Sequence, residues 1–214
     1  MEQLNYLLGV EEGRNVLKSH AMRGFTLIEL MIGIAIFSIL LAVALPEFST
    51  FLHNAKIRNG GESVLHGLNL ARSEAIRRNA PVRFQFTTDL TSGCALSTSS
   101  LTWVVSLADP TGLCDATPGD GTAPQIVQRQ SKLEGASGVT IATTGGSSVI
   151  FTGLGRVSGA GITEVNLANS AGTCVHQDAT SGTLRCFRVL ITSGGQVKLC
   201  DPKVTDATDP RLCA

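Results

Sequence analysis

The residues able to do chemistry fall into three groups: a lone carboxylate, six cysteines and four scattered histidines. Glu29 is the only charged residue between Phe25 and Leu45, in a stretch that is otherwise almost entirely apolar. A charge inside such a segment is costly unless a cation pairs with it. The histidines, His20, His53, His66 and His176, form no pair at metal-ligand spacing. The sequence therefore favours ion pairing by Glu29 and disulfide formation.

The six cysteines all lie in the downstream half of the chain, and none belongs to a Cys-x-x-Cys pair. An even number with wide spacing favours disulfides over a zinc site. Stable disulfides indicate an oxidising compartment such as the bacterial periplasm or cell surface. The alternative is free buried thiols in a cytosolic protein. The simplest pairing closes three short loops, joining Cys94 to Cys114, Cys174 to Cys186, and Cys200 to Cys213.

Two further patterns resemble ligand sites without meeting their requirements. Gly153-x-Gly155-x-x-x-Gly159 misses the dinucleotide-binding spacing, so it predicts a turn. Three aspartates in a glycine-rich loop lack the EF-hand pattern, so a solvated turn is the better interpretation than a calcium site. No nucleophile stands with a base, and we expect no enzymatic activity, cofactor or metal. The three aspartates are Asp109, Asp115 and Asp120.

The segment that carries Glu29 is long enough to cross a bilayer. From Phe25 to Leu45 it would span roughly 30 Å as a helix, at about 1.5 Å per residue. A polar stretch of 24 residues precedes it, and the basic residues near its end favour a cytoplasmic N-terminus. The helix is therefore expected to point its C-terminal end out of the cytoplasm.

Two ordinary alternatives compete for this segment. Ala42-Val43-Ala44 resembles the cleavage site of a secretory signal peptide, but the apolar run is longer than usual for such signals and the polar leader is unusually long. A simple transmembrane anchor fits the length. Neither alternative explains a carboxylate five residues inside the apolar run.

An amphipathic helix is predicted to follow, from Glu47 to Asn79. Pro46 and the pair Gly60-Gly61 are expected to bend or locally unwind it. Its apolar face is expected to pack on the protein's own sheet. The residues that define that face are Leu52, Ala55, Val64, Leu65, Leu68, Ala71, Ala75 and Ile76.

The remainder of the chain predicts a head rich in β-strands, because short apolar runs alternate with turns that contain Gly or Asp. The expected strands are 82–86, 103–107, 126–130, 139–141, 149–152, 164–168, 185–191 and 196–200. The fold class is therefore α+β, with a long N-terminal helix whose apolar half protrudes.

The stretch Arg23-Gly24-Phe25-Thr26-Leu27-Ile28-Glu29-Leu30 resembles the class III signal of type IV pilins and type II secretion pseudopilins. The resemblance implies cleavage by a prepilin peptidase between Gly24 and Phe25, and methylation of the new amino group of Phe25. Glu29 becomes the acidic residue at the fifth mature position. A carboxylate buried among helices needs a cation, and the new amino terminus of an adjoining subunit is the nearest candidate.

A second resemblance narrows the family. Residues 70–79 followed by Pro81-Val82 resemble the helix end and first strand of the GspH/FimT group of minor pilins. Trp103-Val104-Val105, Phe151-x-Gly-x-Gly-Arg156 and residues 195–202 resemble strand signatures of the same group. The implied organisation is a leader over 1–24, a transmembrane and filament-core helix over 25–46, an amphipathic helix over 47–79 and a disulfide-bonded head over 80–214.

This resemblance implies a minor pilin of the FimT/FimU type that helps initiate or cap a type IV pilus. Its partners would be other minor pilins and the major pilin, the prepilin peptidase and the bacterial inner membrane, with the head in the periplasm. The close alternative is a GspH-type minor pseudopilin of a type II secretion system, and the sequence separates the two poorly.

A function of another class is DNA binding during uptake, since some FimT members use Gly-Arg-x-Arg near the C-terminus. The matching positions here are Gly195-Gln196-Val197-Lys198, so both arginines are missing. The chain carries 17 basic and 17 acidic residues, which gives no bulk attraction to nucleic acid. The sequence disfavours a DNA partner, and the cations able to form a patch are Arg185, Arg188, Lys198, Lys203 and Arg211.

Overall fold

The computed structural model describes residues 24–132, 136–175 and 182–213. The chain divides into two compact units, one ending at Val43 and the other beginning at Ala44. Residues 1–23 of the predicted leader lie outside the described residues, as do residues 133–135, 176–181 and 214.

One helix, α1, runs from Leu27 to Arg78. It ends in a Schellman motif, in which the Ala80 amide donates to the Ala75 carbonyl at 3.2 Å and the Asn79 amide to the Ile76 carbonyl at 3.2 Å. Asn79 has a φ of 48°, a conformation that asparagine tolerates better than most residues. Pro81 lies two residues after Asn79 and could not continue the helix.

Local unwinding, one of the two alternatives predicted at Pro46 and Gly60-Gly61, was wrong, because α1 is helical through both positions. The other alternative, a bend, stays a prediction. The two glycines allow close packing instead. A Cβ on Gly61 would lie 2.9 Å from a methyl carbon of Leu199, and one on Gly60 would lie 3.3 Å from a methyl carbon of Leu101. The missing side chains therefore let α1 approach the strands and loops that cover it.

Eight strands follow within the described residues, all close to the predicted positions. The seventh begins two residues later than expected, because Arg185 is held elsewhere: its amide donates to the Asn54 side-chain oxygen at 2.7 Å. The strands are β1 (Val82–Phe86), β2 (Trp103–Ser106), β3 (Ile126–Gln130), β4 (Val139–Thr144), β5 (Ser148–Phe151), β6 (Glu164–Asn169), β7 (Phe187–Ile191) and β8 (Val197–Cys200).

These strands form two four-stranded antiparallel sheets, ordered β3-β2-β1-β5 and β4-β6-β7-β8. β4 and β5 are consecutive in the chain but belong to different sheets. Val82 to Gln85 of β1 pair with Phe151 to Ser148 of β5. The turn at Gly145-Gly146 therefore carries the chain from one sheet to the other.

The core lies between the downstream part of α1 and the two sheets. From the helix it takes Ile57, Val64, Leu68, Ala71 and Ala75, all fully buried. Of the face predicted from the sequence, Leu52 and Ile76 are instead 42% and 50% exposed. The sheets contribute a group of fully or almost fully buried aromatic side chains, Phe84, Phe86, Trp103 and Phe151.

The helix meets these aromatic rings at Gly67. A Cβ at this position would lie 2.7 Å from the Phe84 ring and 3.1 Å from the Trp103 ring. One turn earlier, Ser63 accepts a hydrogen bond of 3.1 Å from the indole nitrogen of Trp103. The tryptophan is therefore fixed by one hydrogen bond and by a helix that passes directly over it.

Candidate functional site

The N-terminal end of α1 is capped by Thr26. Its hydroxyl accepts a hydrogen bond of 3.2 Å from the Glu29 amide, and its carbonyl accepts one of 3.1 Å from the Leu30 amide. Thr26 and Glu29 have the spacing of a capping box, and an acidic residue in the first turn also interacts favourably with the helix dipole. Glu29 thus helps to begin the helix, a local role that the sequence interpretation did not consider.

The carboxylate of Glu29 has no cationic partner among the described residues. It stands in the first turn, on a helix whose large apolar side chains from Phe25 to Leu45 are 42–84% exposed. By length and composition this is the one helix among the described residues that could cross a membrane. Such an apolar surface needs lipid or other helices around it.

A shallow groove runs along the helix beside Glu29. Gly33, one turn further on, has no atom within 4 Å of where a Cβ would stand, and Phe25 and Phe37 lie on either side of it. Small residues on membrane helices allow neighbouring helices to approach closely. The arrangement therefore leaves room for another helix next to the carboxylate.

The six candidate cysteines are joined in the three short loops expected from the sequence. Cys94 bonds to Cys114, Cys174 to Cys186, and Cys200 to Cys213. The first bond lies in a small second core with Val104 and Ile126, on the face of β2 and β3 away from α1. It ties the long loops before and after β2 to the sheet.

The last disulfide belongs to a C-terminal loop that Asp201 also holds. Asp201 is 1% exposed, and one of its carboxylate oxygens accepts a hydrogen bond of 2.6 Å from Arg185 Nε. Its other oxygen accepts one of 2.9 Å from the Lys203 amide. Two candidate DNA contacts thus lie beside a buried carboxylate.

Three of the five candidate DNA contacts are in ion pairs. Arg185 pairs with Asp201, Arg188 with Glu164 at 2.9 Å, and Arg211 with Asp209 at 2.7 Å. Lys198 and Lys203 are exposed. Phosphate binding needs clustered, uncompensated positive charge, which this arrangement does not supply.

The candidate calcium loop is built from hydrogen bonds of its own. One oxygen of Asp109 accepts from the amide and the hydroxyl of Thr111 at 3.0 and 2.7 Å, and Asp120 accepts from the Thr122 amide at 3.0 Å. The Thr111 hydroxyl is the main cause of a pKa of Asp109 below its usual value. Within the described residues, no group of three or more His, Cys, Asp or Glu side chains is placed to hold a metal ion.

The glycine pattern Gly153-x-Gly155 forms a turn, as predicted. The Gly155 amide donates to the Thr152 carbonyl at 2.7 Å, and the Thr152 amide to the Arg156 carbonyl at 2.8 Å. The turn lies against the end of α1, because Arg72 Nε donates to the Gly155 carbonyl at 3.1 Å. The sequence interpretation missed Leu154 at its tip, which is 81% exposed, since only the structure shows that nothing covers it.

Two family comparisons agree with these features. Residues 19–45 match the prokaryotic N-terminal methylation motif. Residues 61–195 match the family described as type II transport protein GspH. The chain belongs to this GspH family of type IV pilin-like proteins. Its members are structural subunits that assemble with other pilins or pseudopilins.

The chain is also similar to solved structures of the type IV minor pilin FimU from Pseudomonas aeruginosa. Two crystal forms each show 15% sequence identity, and they cover 70% and 66% of this chain and 91% and 90% of FimU. The TM-scores are 0.42 and 0.37.

Proposed function

We propose that this chain is a minor type IV pilin that is processed by a prepilin peptidase and incorporated in the pilus, where it helps to initiate or cap assembly. The methylation motif over residues 19–45, together with the lone carboxylate of Glu29 on an exposed apolar helix, carries the proposal. Cleavage between Gly24 and Phe25 creates an amino terminus, which is then methylated on Phe25. The carboxylate of Glu29 pairs with the amino terminus of an adjoining subunit.

Before assembly the helix crosses the bacterial inner membrane once, and the disulfide-bonded head lies in the periplasm. Two features support this placement: the apolar surface of the helix matches a bilayer, and disulfides persist in the periplasm. During assembly the same surface exchanges lipid for the helices of other subunits.

A second candidate is a GspH-type minor pseudopilin of a type II secretion system, and the description of the matching family favours it. It uses the same helix and the same Glu29. The two candidates differ in the filament that receives the head.

Deletion of this chain from its native host, with complementation, distinguishes them. A minor pilin predicts loss of surface filaments in the deletion strain while secreted enzymes still reach the medium. A pseudopilin predicts the reverse pattern. Normal filaments together with normal secretion would contradict both.

A further inference from the structure

The turn between β5 and β6 presents an apolar side chain that the fold does not require. Leu154 is 81% exposed, the largest exposure among the large apolar residues that the structure describes in the head. Beside it, Ile76 at the end of α1 is 50% exposed. A Cβ on Gly155 would lie 2.8 Å from Ile76 Cδ1, so the turn lies directly against this isoleucine.

The residues around Leu154 hold the turn in one shape. Gly155 has a φ of 72° and Gly153 lies against Asn79, so both positions require glycine. The carbonyl of Gly155 is held by Arg72 and lies in close contact with Gly195 of the β7–β8 turn. A rigid turn loses little conformational entropy when a partner binds it.

Two arginines flank this apolar pair. Arg72 lies beside the turn, and Arg156 follows it with an exposed side chain. Within the described residues neither guanidinium is in an ion pair, unlike Arg77 and Arg78, which both bind Glu74. A single exposed leucine on a protein surface needs no explanation. A rigid apolar tip flanked by two uncompensated arginines has the composition of a contact surface.

We infer that one surface of this chain binds the head of a different subunit, which offers an apolar pocket edged by carboxylates. This surface, called the Leu154 surface, consists of Ile76, Leu154, Arg72 and Arg156. Opposite charge at the rim favours such a partner, and arginine is well suited to bind carboxylates. The inference rests on the proposed function, since it names the kind of neighbour that the head meets.

A second copy of this chain fits less well. Among its described residues this chain has an apolar hollow of about 300 Å³, which in a second copy could receive Leu154. The hollow is lined by Val157, Ile162 and Ile191 together with glycine, alanine, threonine and serine residues. That volume would hold a leucine side chain. None of its lining residues is a carboxylate, so the arginines would remain uncompensated.

The test uses the full-length chain in its native host, with a photoreactive residue in place of Leu154. In the control, the photoreactive residue replaces Leu113. Leu113 is 49% exposed and lies in the loop closed by Cys94 and Cys114. We expect a cross-link from position 154 to another pilin-type subunit, at a peptide that contains Asp or Glu. Leu154→Asp and Arg156→Glu should each lower incorporation by about tenfold, while Leu113→Asp should not.

Cleavage after Gly24 and membrane anchoring are measured in the same samples, because their failure would contradict the proposed function and not this surface. Unchanged fluorescence of Trp103 shows that each variant has a folded head. Wild-type incorporation of both Leu154→Asp and Arg156→Glu would overturn the inference. So would a cross-link from position 154 to a second copy of this chain or to DNA.

Discussion

The carboxylate of Glu29 lies among aliphatic side chains that are themselves exposed, so whatever packs against the helix determines its environment. In the isolated chain the backbone amide of Glu29 donates to the Thr26 cap, and its side chain contributes only through the favourable position of an acidic residue in the first turn. In the proposed assembly the carboxylate would be a buried charge, which is stable only when a cation pairs with it. A glutamine at position 29 would still suit the capping box, but it could not form an ion pair. Replacing Glu29 by Gln therefore tests the ion pair without disturbing the helix start.

Replacing Glu29 by Gln should therefore leave processing and membrane anchoring intact but reduce incorporation by about tenfold or more, since a buried pair loses one partner. The measurement is the ratio of this chain in the assembled fraction to that in the membrane, by immunoblot. Glu47→Gln is the matched control, because Glu47 lies on the same helix beyond the apolar run. Equal incorporation of the two variants would contradict the pairing.

The loops of the head depend on ionised aspartates. Asp89 and Asp109 accept hydrogen bonds from the threonine two residues later, which holds the pKa of each below its ordinary value of 3.8. Hydrogen bonds from Arg211 lower the pKa of Asp209 to about 2. Because these pKa values are lower in the folded chain, the contribution is present at neutral pH. It is lost as the pH falls from the ordinary value towards the folded one.

We expect the free energy of unfolding of the head to fall as the pH is lowered from about 4.5 to about 2. Asp109→Asn, which removes the charge and keeps the acceptor oxygen, should be less stable than the wild type at pH 7. The difference between the two chains should shrink as the pH falls below 3.8, the ordinary pKa of the carboxyl group. Denaturant titrations followed by Trp103 fluorescence provide the comparison, since Trp103 is the only tryptophan and is 1% exposed. A constant difference between the two chains across this range would show that the charge of Asp109 does not stabilise the loop.

At the scale of elements, the sequence predicted the long helix and all eight strands, because their periodicity and their turns are local properties. It did not predict two sheets. β5 pairs with β1 rather than with β4, the strand that precedes it in the chain. That pairing joins residues far apart in the sequence. The glycines at 60 and 61 were misinterpreted for the same reason: their function depends on Leu101 and Leu199, which lie opposite them only in the fold.

Gly67 allows the most direct test of the packing between α1 and the sheet. A methyl group there would lie 2.7 Å from the buried Phe84 ring. Overpacking costs about 1–3 kcal/mol, against roughly 1 kcal/mol gained in helix propensity by replacing glycine with alanine. We expect Gly67→Ala to lower the free energy of unfolding of the head by up to about 2 kcal/mol, the difference between these two effects.

The same Trp103 fluorescence measurement checks this prediction in the detergent-solubilised full chain. Gly33→Ala is the control, since Gly33 has no atom within 4 Å of the added methyl group, and the head should keep its wild-type stability. A Gly67→Ala variant more stable than the wild type would show that the helix can move away from the sheet at low cost.

At the scale of the whole molecule, the chain combines a helix segment with an unburied apolar surface and a head that buries its own core. The sequence predicted this division, because the run from Phe25 to Leu45 has no polar face, whereas the residues after Pro46 do. It could not predict the Leu154 surface, since exposure at a turn depends on what the rest of the fold leaves uncovered. From the sequence, the five candidate DNA contacts could still form a positively charged patch. The structure places three of them in ion pairs with carboxylates.

We propose that the chain is cut to expose Phe25 and that Glu29 then serves assembly. The most direct measurement is the intact mass of the chain extracted from the membranes of its native host. We expect a mature protein that begins at Phe25, carries one added methyl group and has all six cysteines oxidised. A protein that begins at Leu45, or that keeps Met1, would contradict the account.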